Sequence, residues 1–204
     1  MDIALLVRGT ILGFSIAAPV GPIGVLVIRE SMTTGRRAGL LTGLGAAAAD
    51  GLYGLVGGLG LTAVSALLVS HATALRVAGG LFMLWLGVRT FLSAPASTPA
   101  GIEARAGGRI FLTGLLLTIT NPMTILSFAA MFAGMGLGSG MDGSAAGIVA
   151  LVAGVLVGSS AWWLFLSSAA SIAGRKLTPG RLRWVNRGSG LIVAAFGTLA
   201  LVAS

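Results

Sequence analysis

Cysteine is absent from this chain, which excludes structural disulfides, thiolate metal sites and thiol redox chemistry. Charge is scarce too: 9% of residues are charged, against roughly a quarter in a soluble domain, so the chain cannot clothe a water-facing surface. Histidine occurs once, at His71, in a loop, and the five acids are scattered. No metal cage can be built from that set, and neither a metal nor a cofactor is expected. Catalytic triads and phosphate-cradling loops are missing, as are the clustered His, Asp or Glu of membrane-embedded enzymes; the chain does not read as an enzyme.

What remains is apolar. Hydrophobic residues make up 56% of the sequence and the mean hydropathy is +1.01. The net charge of +8 does not point to nucleic acid, because the basic residues sit between apolar runs instead of on a polar face interleaved with aromatics. Runs with few charges extend over Ile3 to Ile28, Ala38 to Val69, Leu75 to Leu92, Ile110 to Gly134, Ala145 to Ala173 and Gly188 to Ala203. A span needs about 20 such residues, so the expectation is an all-α integral membrane protein with six transmembrane helices. The second and fifth runs exceed the bilayer thickness and must tilt or end in the interface. The last run is short, and could begin near Trp184 at the headgroup level. The first run reads as a retained span, since Asp2 stands where a signal peptide carries basic residues.

The loops give the orientation. Arg29, Arg36, Arg37, Arg89, Arg105, Arg109, Arg175, Lys176, Arg181, Arg183 and Arg187 fall on one side, and only Arg8 and Arg76 on the other. An imbalance of 11 to 2 places the first group in the cytoplasm and both termini outside. Residues 93–109, with Pro95 and Pro99, form a linker at the midpoint, between a three-helix unit at 1–92 and another at 110–204 within one membrane domain. The stretch from Gly80 to Gly87 in the third run aligns with that from Gly190 to Gly197 in the sixth. The proline-broken first run likewise has a counterpart in Asn121-Pro122 of the fourth. Each half holds an odd number of spans, so similar halves must enter the bilayer in opposite senses. Two inverted three-helix repeats with broken helices 1 and 4 are a recurrent plan of secondary transporters, with substrate bound near midplane where the breaks meet.

Three places could carry function. Between Pro19 and Gly24 lie two prolines and two glycines; Pro19 and Pro22 lack the N–H groups that the carbonyls of Ser15 and Ala18 would use in a continuous helix. Irregular backbone at that depth survives against protein or a wet cavity, which makes Ser15, Pro19, Gly21 and Pro22 candidates for an unwound, ligand-facing segment. At Asn121-Pro122 the freed carbonyl is that of Thr118. The hydroxyls of Thr118, Thr120 and Thr124 could re-satisfy backbone or contact a polar substrate.

Asp50 is the third, the only acid deep in an apolar run. Such a carboxylate is costly and marks a functional site by default: it could bind an ammonium group or exchange the driving proton, or it could be a structural group paired with a neighbouring helix. Gly43, Ala46, Ala47, Tyr53, Gly54 and Gly57 share its helix face, and Tyr53 alone adds a hydroxyl. The stripe of Gly39, Gly43, Ala47 and Gly51 lets helices approach closely, within the chain or between two copies in a homodimer. Trp162 and Trp163 fit a cavity wall or the core.

The segments from Gly13-Phe14 through Pro19-Val20-Gly21-Pro22, then Gly35-Arg36-Arg37-Ala38-Gly39, Gly43-Leu44-Gly45 and Asp50-Gly51-Leu52-Tyr53, resemble the N-terminal signature of the LysE/RhtB-type amino-acid exporter family. Asn121-Pro122 and the Gly80 to Gly87 stretch are similar to that family's later motifs. The resemblance covers nearly the whole chain. It implies a six-helix exporter of the bacterial inner membrane, driven by the proton motive force and acting on amino acids or related small metabolites. Members commonly carry a Pro-Gly-Pro core where this chain has Pro19-Val20-Gly21-Pro22, so basic amino acids, threonine or homoserine, branched-chain residues and other solutes all stay open as substrates. A passive channel for small solutes or ions is the alternative.

Overall fold

The computed structural model of the chain describes residues 2–19, 21–59, 71–93, 104–121, 123–128, 144–175 and 177–202, and among these every regular element is helical. Helix α1 (Ile3–Ala17) is capped by Asp2, whose carboxylate accepts the Leu5 N–H at 3.2 Å. It ends at Ala18, because Pro19 has no N–H to continue the ladder. Helix α2 (Pro22–Thr33) starts on Pro22, at the first helical position, where a missing N–H costs nothing. The two prolines thus bracket an interruption, and Pro22 opens a helix instead of stripping a bond from the Ala18 carbonyl. The axes of α1 and α2 meet at 80°.

Gly35, at φ 117°, turns the chain directly into α3 (Arg36–Gly58), a backbone angle that a residue with a Cβ rarely takes. Then follow α4 (Ala72–Leu92), α5 (Ala104–Ile119), a short helix at 123–128, α6 (Ala145–Gly174) and α7 (Pro179–Val202). Ser144 caps α6 by accepting the Gly147 N–H at 3.2 Å.

The described residues hold four helices long and apolar enough to cross a membrane alone, α3, α4, α6 and α7, or five spans if the bent α1–α2 pair counts as one. The fourth apolar run is interrupted. Its first part is α5, apolar from Gly107 to Ile119, its second is 123–128, and the remainder to Gly134 lies outside the described residues, as do Pro122 and residues 60–70 of the second run. Six uninterrupted spans are therefore not what the described residues show. Two helix ends also differ from the hydropathy reading: α5 begins at Ala104, inside the stretch read as linker, and α7 begins at Pro179, well before Trp184. Polar turns can continue a helix beyond the apolar run that hydropathy detects.

Helix α1 lies against α6, α5 against α3, α3 against α6 and α4 against α7. Glycine permits all four of these approaches. A Cβ on Gly13 would collide with backbone of Val155, and one on Gly158 with that of Thr10; one on Gly45 would meet Phe111 and one on Gly114 would meet Thr42. Between α4 and α7, Gly87 faces Gly190 and Gly80 faces Gly197, so the two aligned glycine segments are each other's partners. The α3 stripe packs inside the chain as well, Gly39 against Ser31 of α2, Gly43 against Trp163 and Gly51 against Leu156 of α6.

Candidate functional site

A cavity of about 650 Å³ opens where the two helix interruptions meet the middle of α3. Its wall takes Pro19, Gly21, Pro22, Ile23 and Gly24 from the first interruption and Thr118, Asn121 and Thr124 from the second. Ala46 and Asp50 come from α3, Arg76 and Met83 from α4, Trp163 from α6, and Phe196 and Leu199 from α7.

The second interruption is built by Asn121. In place of the Pro122 nitrogen, the Asn121 N–H reaches the Thr118 carbonyl at 3.2 Å, while the Asn121 carbonyl accepts from Thr124 at 3.1 Å and from Ile125 at 3.2 Å. Its side-chain oxygen takes the Met123 N–H at 3.1 Å, so Asn121 caps the 123–128 helix as Gly21 caps α2. Gly21 has no side chain to spend on that role, which leaves the start of α2 without a side-chain cap. Thr118 and Thr120 donate their hydroxyls to carbonyls of their own helix, Gly114 at 2.8 Å and Leu116 at 2.7 Å.

Asp50 is 2% exposed. The Ser159 hydroxyl donates to its carboxylate at 2.7 Å, and the Trp163 indole N–H donates to the Ser159 oxygen at 3.1 Å. Ser159 and Trp163 stand four residues apart on α6 and so share the face that meets α3. Gly43 makes room for the indole: a Cβ there would lie 2.6 Å from Trp163 Cγ. The chain of donors orients one carboxylate oxygen and leaves acceptor capacity on the group, which can receive a cation or a proton.

Asp50, Pro19, Gly21, Pro22, Thr118, Asn121 and Thr124, all singled out in the sequence, meet at this cavity. Pro122 lies outside the described residues. Ser15 is exposed on α1, away from the lining. Tyr53 is buried but absent from the lining; its hydroxyl donates to the Ile119 carbonyl at 2.7 Å and its ring packs on Phe128, tying α3 to the end of α5. Trp163, read in the sequence as cavity wall or core, is both buried and in the lining, whereas Arg76 and Ser159 were not marked as site residues. Arg76 carried a signal, as one of only two cations on its side; Ser159 carried none, being one hydroxyl in a long apolar run.

Residues 14–204 match the LysE type translocator family. The chain is 29% identical over 186 residues to the uncharacterized membrane protein YahN of Escherichia coli, covering 86% of this chain and 78% of that one. It is 27% identical to the threonine efflux protein of the same organism, with 87% of each covered. It is 26% identical to the putative amino acid efflux protein YcgF of Bacillus subtilis, over 92% of this chain and 90% of the relative. No solved structure matches it. A match over nearly the full length, in a chain whose described elements are all helices and include membrane-length apolar ones, assigns a transporter and not an enzyme: the chain belongs to the LysE type translocator family.

Proposed function

We propose that this chain is a secondary active exporter of amino acids or related small metabolites in the bacterial inner membrane, driven by the proton motive force. The observation that carries the reading is a buried carboxylate, Asp50, in the wall of a cavity bordered by both helix interruptions. Relatives named for threonine and amino acid efflux point to the same substrate class. In the proposed mechanism the starts of α2 and of the 123–128 helix carry partial positive charge and favour a substrate carboxylate. Asp50 holds the ammonium group or exchanges the driving proton.

The proposed architecture is two inverted repeats, 1–92 and 110–204 joined by the linker, which rock about this cavity. The packing supports it: exchanging α1 with α5 and α3 with α6 turns the α1–α6 pair into the α5–α3 pair, and the α4–α7 pair maps onto itself with its glycines face to face. Cytoplasmic placement of the arginine-rich helix ends, with both termini periplasmic, follows from the 11 to 2 imbalance.

Efflux of preloaded amino acids from proteoliposomes under an imposed proton gradient tests the reading. Asp50→Asn should lower proton-driven efflux by roughly 30-fold or more, the cost of truncating one partner of a buried charge interaction. Unchanged efflux would remove Asp50 from the mechanism. Flux through the wild-type chain that ignores a collapsed gradient would make the protein a passive pore.

A further inference from the structure

Arg76 lines the same cavity as Asp50, and these are the one base and the one acid among the lining residues. On α4 the positions three, four and seven beyond Arg76 are Gly79, Gly80 and Met83, all buried, while Val77, Ala78 and Leu81 are exposed; the arginine thus stands on the inward face. Arg8, the other cation of that side, is exposed on α1. An arginine near a helix end ordinarily extends its head toward the headgroups, where water and phosphates satisfy it. The Nε of Arg76 instead is buried without a hydrogen-bond partner. Among the described residues the only ion pair joins Arg29 to Glu30, so Arg76 and Asp50 do not pair directly.

An unpaired buried donor on a charged group is costly unless something arrives to satisfy it. The planar guanidinium matches a carboxylate, which it can hold through two parallel N–H bonds. We infer that Arg76 binds the carboxylate of the substrate while Asp50 faces its ammonium group, so that the cavity selects neutral α-amino acids, whose two charges answer its own. This rests on the exporter reading above and narrows its substrate class. The side chain of such a substrate meets Met83, Trp163, Phe196 and Leu199, which suit an uncharged group. A cationic side chain has no second acid in the lining to meet, and an acidic one no second base.

The test uses the full chain in proteoliposomes preloaded with a mixture of unlabelled L-threonine, L-leucine and L-lysine, exchanging for each labelled amino acid in turn. External L-threonine, L-threoninamide and L-lysine then compete with whichever label exchanges. In the wild type, L-threoninamide, which keeps the ammonium and lacks the carboxylate, should compete at least about 10-fold less well than L-threonine, and L-lysine should also compete weakly. Arg76→Gln should raise the KM for L-threonine by about 10- to 100-fold and erase the preference for acid over amide, and Arg76→Lys should keep part of it. A purely structural role would change the amount of active protein and leave that preference intact. Wild-type protein that accepts the amide as well as the acid, or exchanges only L-lysine, overturns the inference without any variant. Arg76→Gln with wild-type KM and preference overturns it as well. Exchange of none of the three amino acids would instead reject the exporter reading, and the inference with it.

Discussion

Two cavities share helices α2 to α5 in their walls, the larger reaching α6 and α7 as well, and they handle their charged groups differently. The larger holds Asp50 and Arg76, unpaired with each other, and Asp50 takes one side-chain hydrogen bond, from Ser159. The smaller, about 360 Å³, lies toward the arginine-rich helix ends and is lined by Arg29, Glu30, Arg89 and Arg109 with Thr42, Thr90, Ser93 and Thr113. Its Arg29 is occupied. Nε donates to Asn186 at 2.8 Å, one terminal nitrogen to Ser93 at 2.9 Å and the other to the Glu30 carboxylate. Asn186, fully buried, closes the set by donating to the Ser93 carbonyl at 3.0 Å. A polar group whose bonds are already made holds structure together, and one with unused capacity beside a cavity is free for a ligand. Arg29 thus joins α2 to the end of α4 and the start of α7. One apolar cluster separates the two cavities, Met83 facing the first, Leu26 and Leu86 the second.

If that contrast holds, the two sites respond to different measurements. Arg29→Leu removes three hydrogen bonds and strands the Glu30 carboxylate, and it should lower unfolding stability in detergent by about 2–4 kcal/mol. Asp50→Asn, nearly isosteric and able to accept from Ser159, should move the same midpoint far less. Equal losses would erase the distinction between a structural and a ligand-binding charge. Ser159→Ala comes next in size. It deprives Asp50 of its donor and Trp163 of its acceptor, which should raise the transport KM by roughly 5- to 30-fold, the range for a bond to a charged group, with little change in the amount of folded protein. An unchanged KM would show that Asp50 needs no orienting partner.

Asp50 was legible in the sequence because one acid amid apolar residues has few bland explanations, and both interruptions because proline cannot continue a helical ladder. The glycine pairs of α4 and α7 were legible as an alignment, though the alignment does not say that the matched segments touch. Arg76 was hidden by the use made of it. Its place outside the arginine-rich loops bears on the proposed orientation and carries nothing about the face it takes on α4. Ser159 and Trp163 share a face by spacing, yet which helix that face meets is decided by packing, through Gly43. The Arg29–Ser93–Asn186 set joins residues far apart in sequence, and no local pattern announces it. The early starts of α5 and α7 escaped for a different reason, since hydropathy registers the apolar part of a helix and stops at its polar turns.

Arg89 gives the weakest effect and tests how far the structural role extends around the smaller cavity. It lines that cavity beside Arg29, but it is exposed, and its guanidinium lies 5.3 Å from the ring centroid of Trp85 on its own helix. A cation–π contact at an exposed site contributes roughly 0.5–1 kcal/mol. Arg89→Gln should therefore lower unfolding stability by no more than about 1 kcal/mol and leave the KM for substrate at the larger cavity unchanged. A loss as large as that of Arg29→Leu would mean that the cluster acts as one charged network, and that occupancy of hydrogen bonds is the wrong criterion for telling its arginines apart. A small loss would locate the structural role in Arg29, whose partners lie on α2, α4 and α7.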